Sequence, residues 1–480
     1  MDDRDQGFVD TFRRFLEEVI RKQPVRESEL TPLGELVQRH LGTDVATLPV
    51  VSEMIAQHRL VDADIALELL GGEDAQLVGV TGGQQRFQED LPQLLSHAFV
   101  RFAPGPVDYT QADTGPDSSR QVVSLGVRLF HVDGAPVVVL QRSAQPRVGR
   151  NTASLEVLAA DTATSGAVLA DIRRLMLEHS VLRGQVLSFT ADQFGHGAAG
   201  ATFLQRPHVD AHTVVLSPGV LERVTDHVIE IGLQREKLRA AGQHLKRGIL
   251  LYGPPGTGKT LTVRHLLSRT EGVTSILLAG SSIRFITEAT ELARAMQPAI
   301  VVLEDVDLVA SERGMHNGPQ PLLFAVLDAL DGLDGDADVA FVLTTNRVDS
   351  LEPALAARPG RVDLALEIPL PDAEARRRLF ALYSAGLPLS DEAVAAAADR
   401  SNGVTGSFAK ELMRRTVLRA ALDDREVVDS DLSESLDALL AGGEQLTRSL
   451  LGVAGDTPPP APGGGTNFGG VAGIGWMSYD

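Results

Sequence analysis

Between residues 248 and 367 short apolar runs recur at 248–252, 275–279, 299–304, 339–344 and 363–367, with longer mixed stretches between them. Each run is dominated by Val, Ile, Leu or Ala without polar alternation, the pattern of a strand buried on both faces. The intervening 260–269 reads as a helix, so the region predicts a parallel sheet with crossover helices. Pro369 and Pro371 break the chain, and 373–440 is helical throughout by its periodicity. Upstream, Phe12, Phe15, Leu16 and Val19 recur at helix spacing, and amphipathic helical runs are expected at 33–41 and 50–60, divided by Pro24, Pro32 and Pro49. The stretch 104–120 is rich in Pro, Asp, Gly and Ser and reads as a loop. After it, 122–131 and 136–141 flank Asp133-Gly134, a hairpin turn signal. A segment at 155–160, a helix near 168–178 and a strand at 185–190 follow, ending in a Gly-rich stretch at 194–201.

These patterns predict an α/β chain in five parts. A helical segment spans 1–75 and a mixed α+β region 76–210; a P-loop parallel sheet with flanking helices covers 211–370. A small all-α lid occupies 371–442, and 443–480 form a tail whose Pro458–Pro460 and Gly463–Gly465 clusters build no core. The 480 residues exceed what one core holds. No apolar run approaches the roughly 18 residues of a membrane span, and the acidic N-terminus is unlike a signal peptide, so a cytoplasmic protein is expected. Zero cysteines fit a reducing compartment and remove disulfides, Cys-ligated zinc and thiol nucleophiles from consideration. A formal charge of −20 argues against a role coating nucleic acid, where affinity comes from Lys and Arg neutralising phosphates.

The segment Gly253-Pro254-Pro255-Gly256-Thr257-Gly258-Lys259-Thr260-Leu261 fills the pattern G-x-x-x-x-G-K-[ST] between a strand and a helix. Its glycines let successive N–H groups face phosphate oxygens, Lys259 reaches the terminal phosphates, and the Thr260 hydroxyl can hold Mg²⁺. The helix N-terminus adds attraction for anions. Downstream, the apolar run at 299–304 ends in Glu304, Asp305 and Asp307. One strand-end carboxylate can hold the metal and a second can act on water, while Asp307 also fits an N-cap of the following helix. A further apolar run ends in Thr345-Asn346 and leads to Arg347-Val-Asp349 and Ala357-Arg358-Pro-Gly-Arg361-Val-Asp363.

In G-P-P-G-T-G-K-T, T-T-N-R-V-D-S-L-E-P-A-L, A-R-P-G-R-V-D and I-P-L-P-D, residues 211–440 resemble the ATPase domain of the AAA subfamily of AAA+ proteins. The resemblance implies ATP and Mg²⁺ as ligands, a hexameric ring, and a sensor role for Asn346 beside the attacking water. It places Arg358 and Arg361 at arginine-finger positions, where they reach a neighbouring subunit's nucleotide; surface pairs with Asp363 and Glu352 are the alternative. The 403–408 stretch, Gly-Val-Thr-Gly-Ser-Phe, corresponds to the second sensor, where the family packs small residues against the nucleotide. The segment 214–220 takes the place of adenine recognition.

Three departures stand out. Most relatives end the acidic strand in Asp-Glu, whereas this chain has Glu304-Asp305, an order similar to the AAA subgroup containing a mitochondrial inner-membrane translocase. Glu304 would then face the metal and Asp305, one methylene shorter, would act on water, with slow hydrolysis expected. The interval 280–289 lacks the glycine of an aromatic-hydrophobic-Gly pore loop; Phe285 and Ile286 are pore candidates, against a reading of Phe285 as a buried aromatic on an amphipathic helix. The only tryptophan, Trp476, lies in Gly475-Trp-Met-Ser-Tyr479-Asp480. The penultimate tyrosine is similar to the docking tails of proteasomal ATPases, although Ser478 stands where those carry a hydrophobic residue.

The leading expectation is an ATP-hydrolysing ring motor that remodels or translocates a protein partner, with Trp476–Tyr479 as a docking motif. An ATP-gated assembly scaffold with little turnover is the alternative; a nucleic-acid motor is disfavoured by charge.

Overall fold

The computed structural model describes residues 29–190, 200–307, 335–347 and 362–441, with a few isolated positions besides. They fall into two compact units, one drawn from 1–214, 218–253 and 259–368, the other from 215–217, 254–258 and 369–480. The helix expected around Phe12–Val19, residues 194–199 of the Gly-rich stretch and the tail with Trp476 and Tyr479 lie outside the described residues, while Gly200 and Ala201 begin a strand.

In the first unit an antiparallel sheet comes first. Its strands are β1 (Val50–Ile55), β2 (Gln76–Thr81), β3 (Ala103–Gly105), β4 (Asp108–Gly115), β5 (Ser118–Val132), β6 (Ala135–Arg142) and β7 (Ala153–Leu158). They lie in the order β1-β7-β6-β5-β2-β3, with β4 paired to β5. Helices α1 (Pro32–Leu41), α2 (Leu60–Gly71), α3 (Leu91–Leu95) and α4 (Thr162–Glu178) cover it. The period of two divides the side chains between faces. Val138 and Leu140 of β6 join Leu33, Val37 and Leu94 in one core, whereas Val137 and Val139 join Leu60, Val168 and Ile172 in the other. Asp133 and Gly134, at φ 50° and 82°, make the expected hairpin turn between β5 and β6.

Two expectations need correction here. The run 50–60 is not one amphipathic helix: Val50–Ile55 is a strand hydrogen-bonded to Ala153–Leu158, and the helix begins only at Leu60. Its paired β-branched valines favour a pleated surface, and the partner strand completes it. The stretch 104–120 is not a loop but contains β4 and the start of β5. In β4, Asp-Tyr-Thr-Gln-Ala-Asp-Thr-Gly alternates half-buried and exposed positions, with Tyr109, Gln111 and Asp113 facing water from a paired strand.

The second sheet carries the five expected strands as β10 (Arg247–Tyr252), β11 (Thr274–Ala279), β12 (Ala299–Glu304), β13 (Val339–Thr345) and β14 (Leu364–Glu367), preceded by β8 (Val186–Thr190) and β9 (Gly200–Leu204). Their order is β9-β8-β11-β12-β13-β10-β14. All pairs are parallel except β8 with β9. The last two strands before residue 211 therefore extend the phosphate-loop sheet rather than the antiparallel one. Helices α5 (Lys259–Ser268) and α6 (Ile286–Ala295) follow β10 and β11. Ile283 and Ile286 are wholly buried, and Phe285 is half-buried with its ring centroid 6.2 Å from that of Phe189 on β8. Ile286 is thus core, and Phe285, in the turn just before α6, is a half-buried aromatic packed near Phe189.

Polar clamps fasten this extension. The Asp62 carboxylate accepts from the Ser180 hydroxyl at 2.8 Å and the Val181 N–H at 3.0 Å, and Arg59 lies beside it at 3.2 Å. Arg183 donates to the carbonyls of Leu177 at 2.9 Å and Gln297 at 2.7 Å. Arg206, beyond β9, donates to four carbonyls, those of Leu267, Thr270, Gly184 and Val273, at 2.8 to 3.0 Å. Its planar fork serves acceptors from two stretches of chain at once, 267–273 and Gly184. Arg206→Ala should lower stability by about 2–3 kcal/mol in chemical denaturation, with Arg206→Lys recovering only part. A loss under about 0.5 kcal/mol would contradict this role.

The second unit is helical, with α7 (Ala373–Ser384), α8 (Asp391–Arg400), α9 (Gly406–Leu422) and α10 (Asp429–Leu440). Asp372, Ser390 and Thr405 accept from the N–H three residues on and so cap the first three. Phe380, Val394, Phe408, Leu412 and Leu436 form its core.

Candidate nucleotide site

β10 is buried along its length and delivers the chain to Gly253, whose φ is 144°. A Cβ there would stand 2.2 Å from the Ile368 carbonyl oxygen, so the close approach of two backbones requires glycine. Six residues on, Lys259 opens α5 and is 5% exposed; its ammonium donates to the Gly253 carbonyl at 2.8 Å. Burial pulls the Lys259 ammonium below its ordinary pKa, while the charges of Asp305 and Asp307 oppose that fall. A cation held under a loop in this way fits the terminal phosphates of a nucleotide.

Beside it, β12 ends in Glu304. Burial, and then the neighbouring Asp305 charge, push the Glu304 carboxyl above its usual range; a hydrogen bond with Thr260 and the charge of Arg264 hold it back. Thr260 and Glu304, the two expected metal-binding residues, are therefore in contact. Their hydroxyl and carboxylate oxygens are hard donors that fit a magnesium ion and its waters.

Asp305 has a φ of 52°, the left-handed region that few non-glycine residues enter. Its N–H donates to Thr344 Oγ1 at 3.0 Å, and its Oδ1 accepts from Asn346 Nδ2 at 3.1 Å. Asp307 is 4% exposed, and its Oδ1 accepts from both the Thr345 hydroxyl and the Asn346 N–H at 3.0 Å. Asp307 thus braces the end of β13; its N-cap reading concerns residues outside the described set. Five expected site residues, Lys259, Thr260, Glu304, Asp305 and Asn346, come together at the C-terminal ends of β10, β12 and β13, where open parallel sheets bind ligands. Arg358 and Arg361 lie outside the described residues. Thr344, Asp307 and Arg264 were missed as site residues. Polar Thr344 and Thr345, inside a strand otherwise wholly apolar and buried, were the available signal for the first.

In the helical unit, the loop tip Pro254–Gly258 sits at the start of α9. Ser407 N–H reaches the Gly256 carbonyl at 3.4 Å, and the Thr257 hydroxyl donates to the Pro254 carbonyl at 2.9 Å. Gly256, at φ 78°, has no room for a Cβ, which would meet Ser407 Oγ at 2.8 Å and Thr405 Oγ1 at 2.9 Å. The small residues of 403–408 are thus packed on the tip of the phosphate loop. Leu216, from the entering segment, is the nearest neighbour of a Gly258 Cβ, at 3.7 Å.

The model of the ATPase family associated with various cellular activities (AAA) matches residues 249–370. The chain carries an AAA ATPase domain over those residues. It is 32% identical over 312 residues to the ATP-dependent zinc metalloprotease FtsH 2 of Sphaerobacter thermophilus, covering 60% of this chain and 47% of that protein. It is 31% identical over 240 residues to the proteasome-activating nucleotidase of Methanothermobacter thermautotrophicus, covering 46% and 58%. With the 26S proteasome regulatory subunit 4 homolog of Oryza sativa it shares 36% over 160 residues, 30% of this chain and 35% of that one. The chain thus spans less than two thirds of the length of these curated relatives. These 480 residues contain no His-Glu dipeptide, and hence no H-E-x-x-H zinc-peptidase pattern. Among the described residues no helix is long and apolar enough to cross a membrane.

Proposed function

We propose that this chain binds ATP with Mg²⁺ and hydrolyses it, as a ring oligomer, to remodel or translocate a protein partner. The observation that carries the reading is the grip of Asn346 on Asp305 beside the Thr260–Glu304 contact and the buried Lys259. Bound Mg²⁺ would neutralise phosphate charge and polarise the bond that breaks. Thr260 and Glu304 would hold it. Lys259 exchanges its internal Gly253 partner for phosphate oxygens. Asp305 accepts a proton from the attacking water, and the Asn346 amide fixes both the carboxylate and that water. Arg358 and Arg361, by their motif, would complete the site of a neighbouring subunit and link turnover to assembly.

A protein substrate is favoured because two of the relatives are named as a protease and a proteasome activator, and because the charge of −20 opposes nucleic-acid binding. The core position of Ile286 and the packed Phe285 leave remodelling better supported than threading. The test is ATP turnover per chain measured across a range of protein concentration. A ring motor gives a rate that rises cooperatively as the chain assembles. Nucleotide-dependent assembly with negligible turnover would instead support the scaffold, and salt-sensitive stimulation by DNA or RNA would support a nucleic-acid motor.

A further inference from the structure

We infer that Thr344 is a positioning residue for Asp305, and that it is the device by which the inverted Glu304-Asp305 pair works. The inference rests on the hydrolysis reading above. The ladder between β12 and β13 ends at Leu303 opposite Leu343, so the Asp305 N–H has no strand partner. At that point the chain turns into the left-handed region, φ 52°, which aspartate enters more readily than most residues but which must still be selected over the commoner strand and helix conformations. Thr344 Oγ1 supplies the fixing contact by accepting the Asp305 N–H at 3.0 Å. Thr344 is 1% exposed, so water does not replace that oxygen when it is removed.

Two positions along, Asn346 takes the Asp305 carboxylate at 3.1 Å. One chain end therefore grips Asp305 twice, at its backbone through Thr344 and at its side chain through Asn346. A glutamate at 305 could reach a water by its extra methylene from an ordinary strand conformation. The shorter aspartate depends on where its Cα is set, and the left-handed turn held by Thr344 sets it.

The experiment uses the full chain with Thr344→Val, Thr344→Ala and Thr344→Ser, each also combined with Asp305→Asn. Steady-state turnover, single-turnover rates and the affinity for a fluorescent ATP analogue with Mg²⁺ are measured. The valine and alanine variants should lose about 10- to 100-fold in kcat, with KM and analogue affinity within about threefold. The serine variant, which keeps the acceptor oxygen, should retain most of the rate. On the Asp305→Asn background the valine change should cost little more, because both act through one group. If the valine variant does not fold, the alanine variant decides in its place.

A wild-type kcat in the valine or alanine variant, an equal loss of analogue affinity, failure of serine to rescue, or a full further loss on the Asp305→Asn background each overturns the role of Thr344. A wild-type chain that binds the analogue but shows no turnover overturns the hydrolysis reading itself, and Thr344 with it. Turnover that persists in the threonine variants removes Thr344 alone.

Discussion

Lys259→Met should weaken binding of ATP and ADP by at least about 100-fold while leaving the chain folded, corresponding to roughly 2.7 kcal/mol. Lys259 is a buried cation whose neighbours are the Gly253 carbonyl and the charges of Asp305 and Asp307. Methionine fills a similar volume but removes the charge. Attraction for the phosphates is lost, and the two acids now face the anion without a cation between them, so both effects act in the same direction. Calorimetric titration with ADP measures the loss, and thermal melting in the absence of nucleotide checks the fold. Affinity within a few-fold of wild type would remove Lys259 from the site.

Asp305→Asn should lower turnover by about 10²- to 10⁴-fold with nucleotide affinity preserved. Asparagine is the sharpest probe at this position for a conformational reason. It is among the few residues besides glycine that tolerate the left-handed region, so the φ of 52° is kept without new strain. Its amide oxygen still accepts from Asn346 Nδ2, and its N–H still reaches Thr344. Only the capacity to take a proton is gone. The variant should therefore hold ATP and partner in place, and capture of a protein by the Asp305→Asn chain but not by wild type would identify what is remodelled. Unchanged turnover would take Asp305 out of the chemistry.

The nucleotide sheet was legible in the sequence because its strands are buried on both faces. Such strands read as unbroken apolar runs, and the five expected at 248–252, 275–279, 299–304, 339–344 and 363–367 appear within a residue at each end. The earlier sheet was harder, for the opposite reason. β4 presents Asp108, Thr110, Ala112 and Thr114 on alternate positions of a half-exposed hairpin, and its composition alone is that of a loop. β1 carries an amphipathic pattern that helix and strand share over six residues, and its partner lies about a hundred residues away, at 153–158. The addition of β8 and β9 to the nucleotide sheet is likewise non-local; a strand's own residues do not say which sheet receives it.

At the site, the sequence named Lys259, Thr260, Glu304, Asp305 and Asn346, because their chemistry is tied to fixed spacing. It missed Thr344 because its contribution is one hydroxyl at a backbone N–H, visible only once Asp305 is seen in the left-handed region. The contacts of Asp307 with Thr345 and Asn346 were likewise not legible, because they join the ends of two strands about forty residues apart.

The most direct measurement is release of phosphate from ATP by the purified full chain, with Mg²⁺ and after its removal by EDTA, alongside Asp305→Asn. Turnover by the wild type that requires the divalent cation, and that is lost in Asp305→Asn while ADP still binds, is the expected result. ATP binding by the wild type without Mg²⁺-dependent phosphate release, or release that Asp305→Asn leaves unchanged, would contradict it.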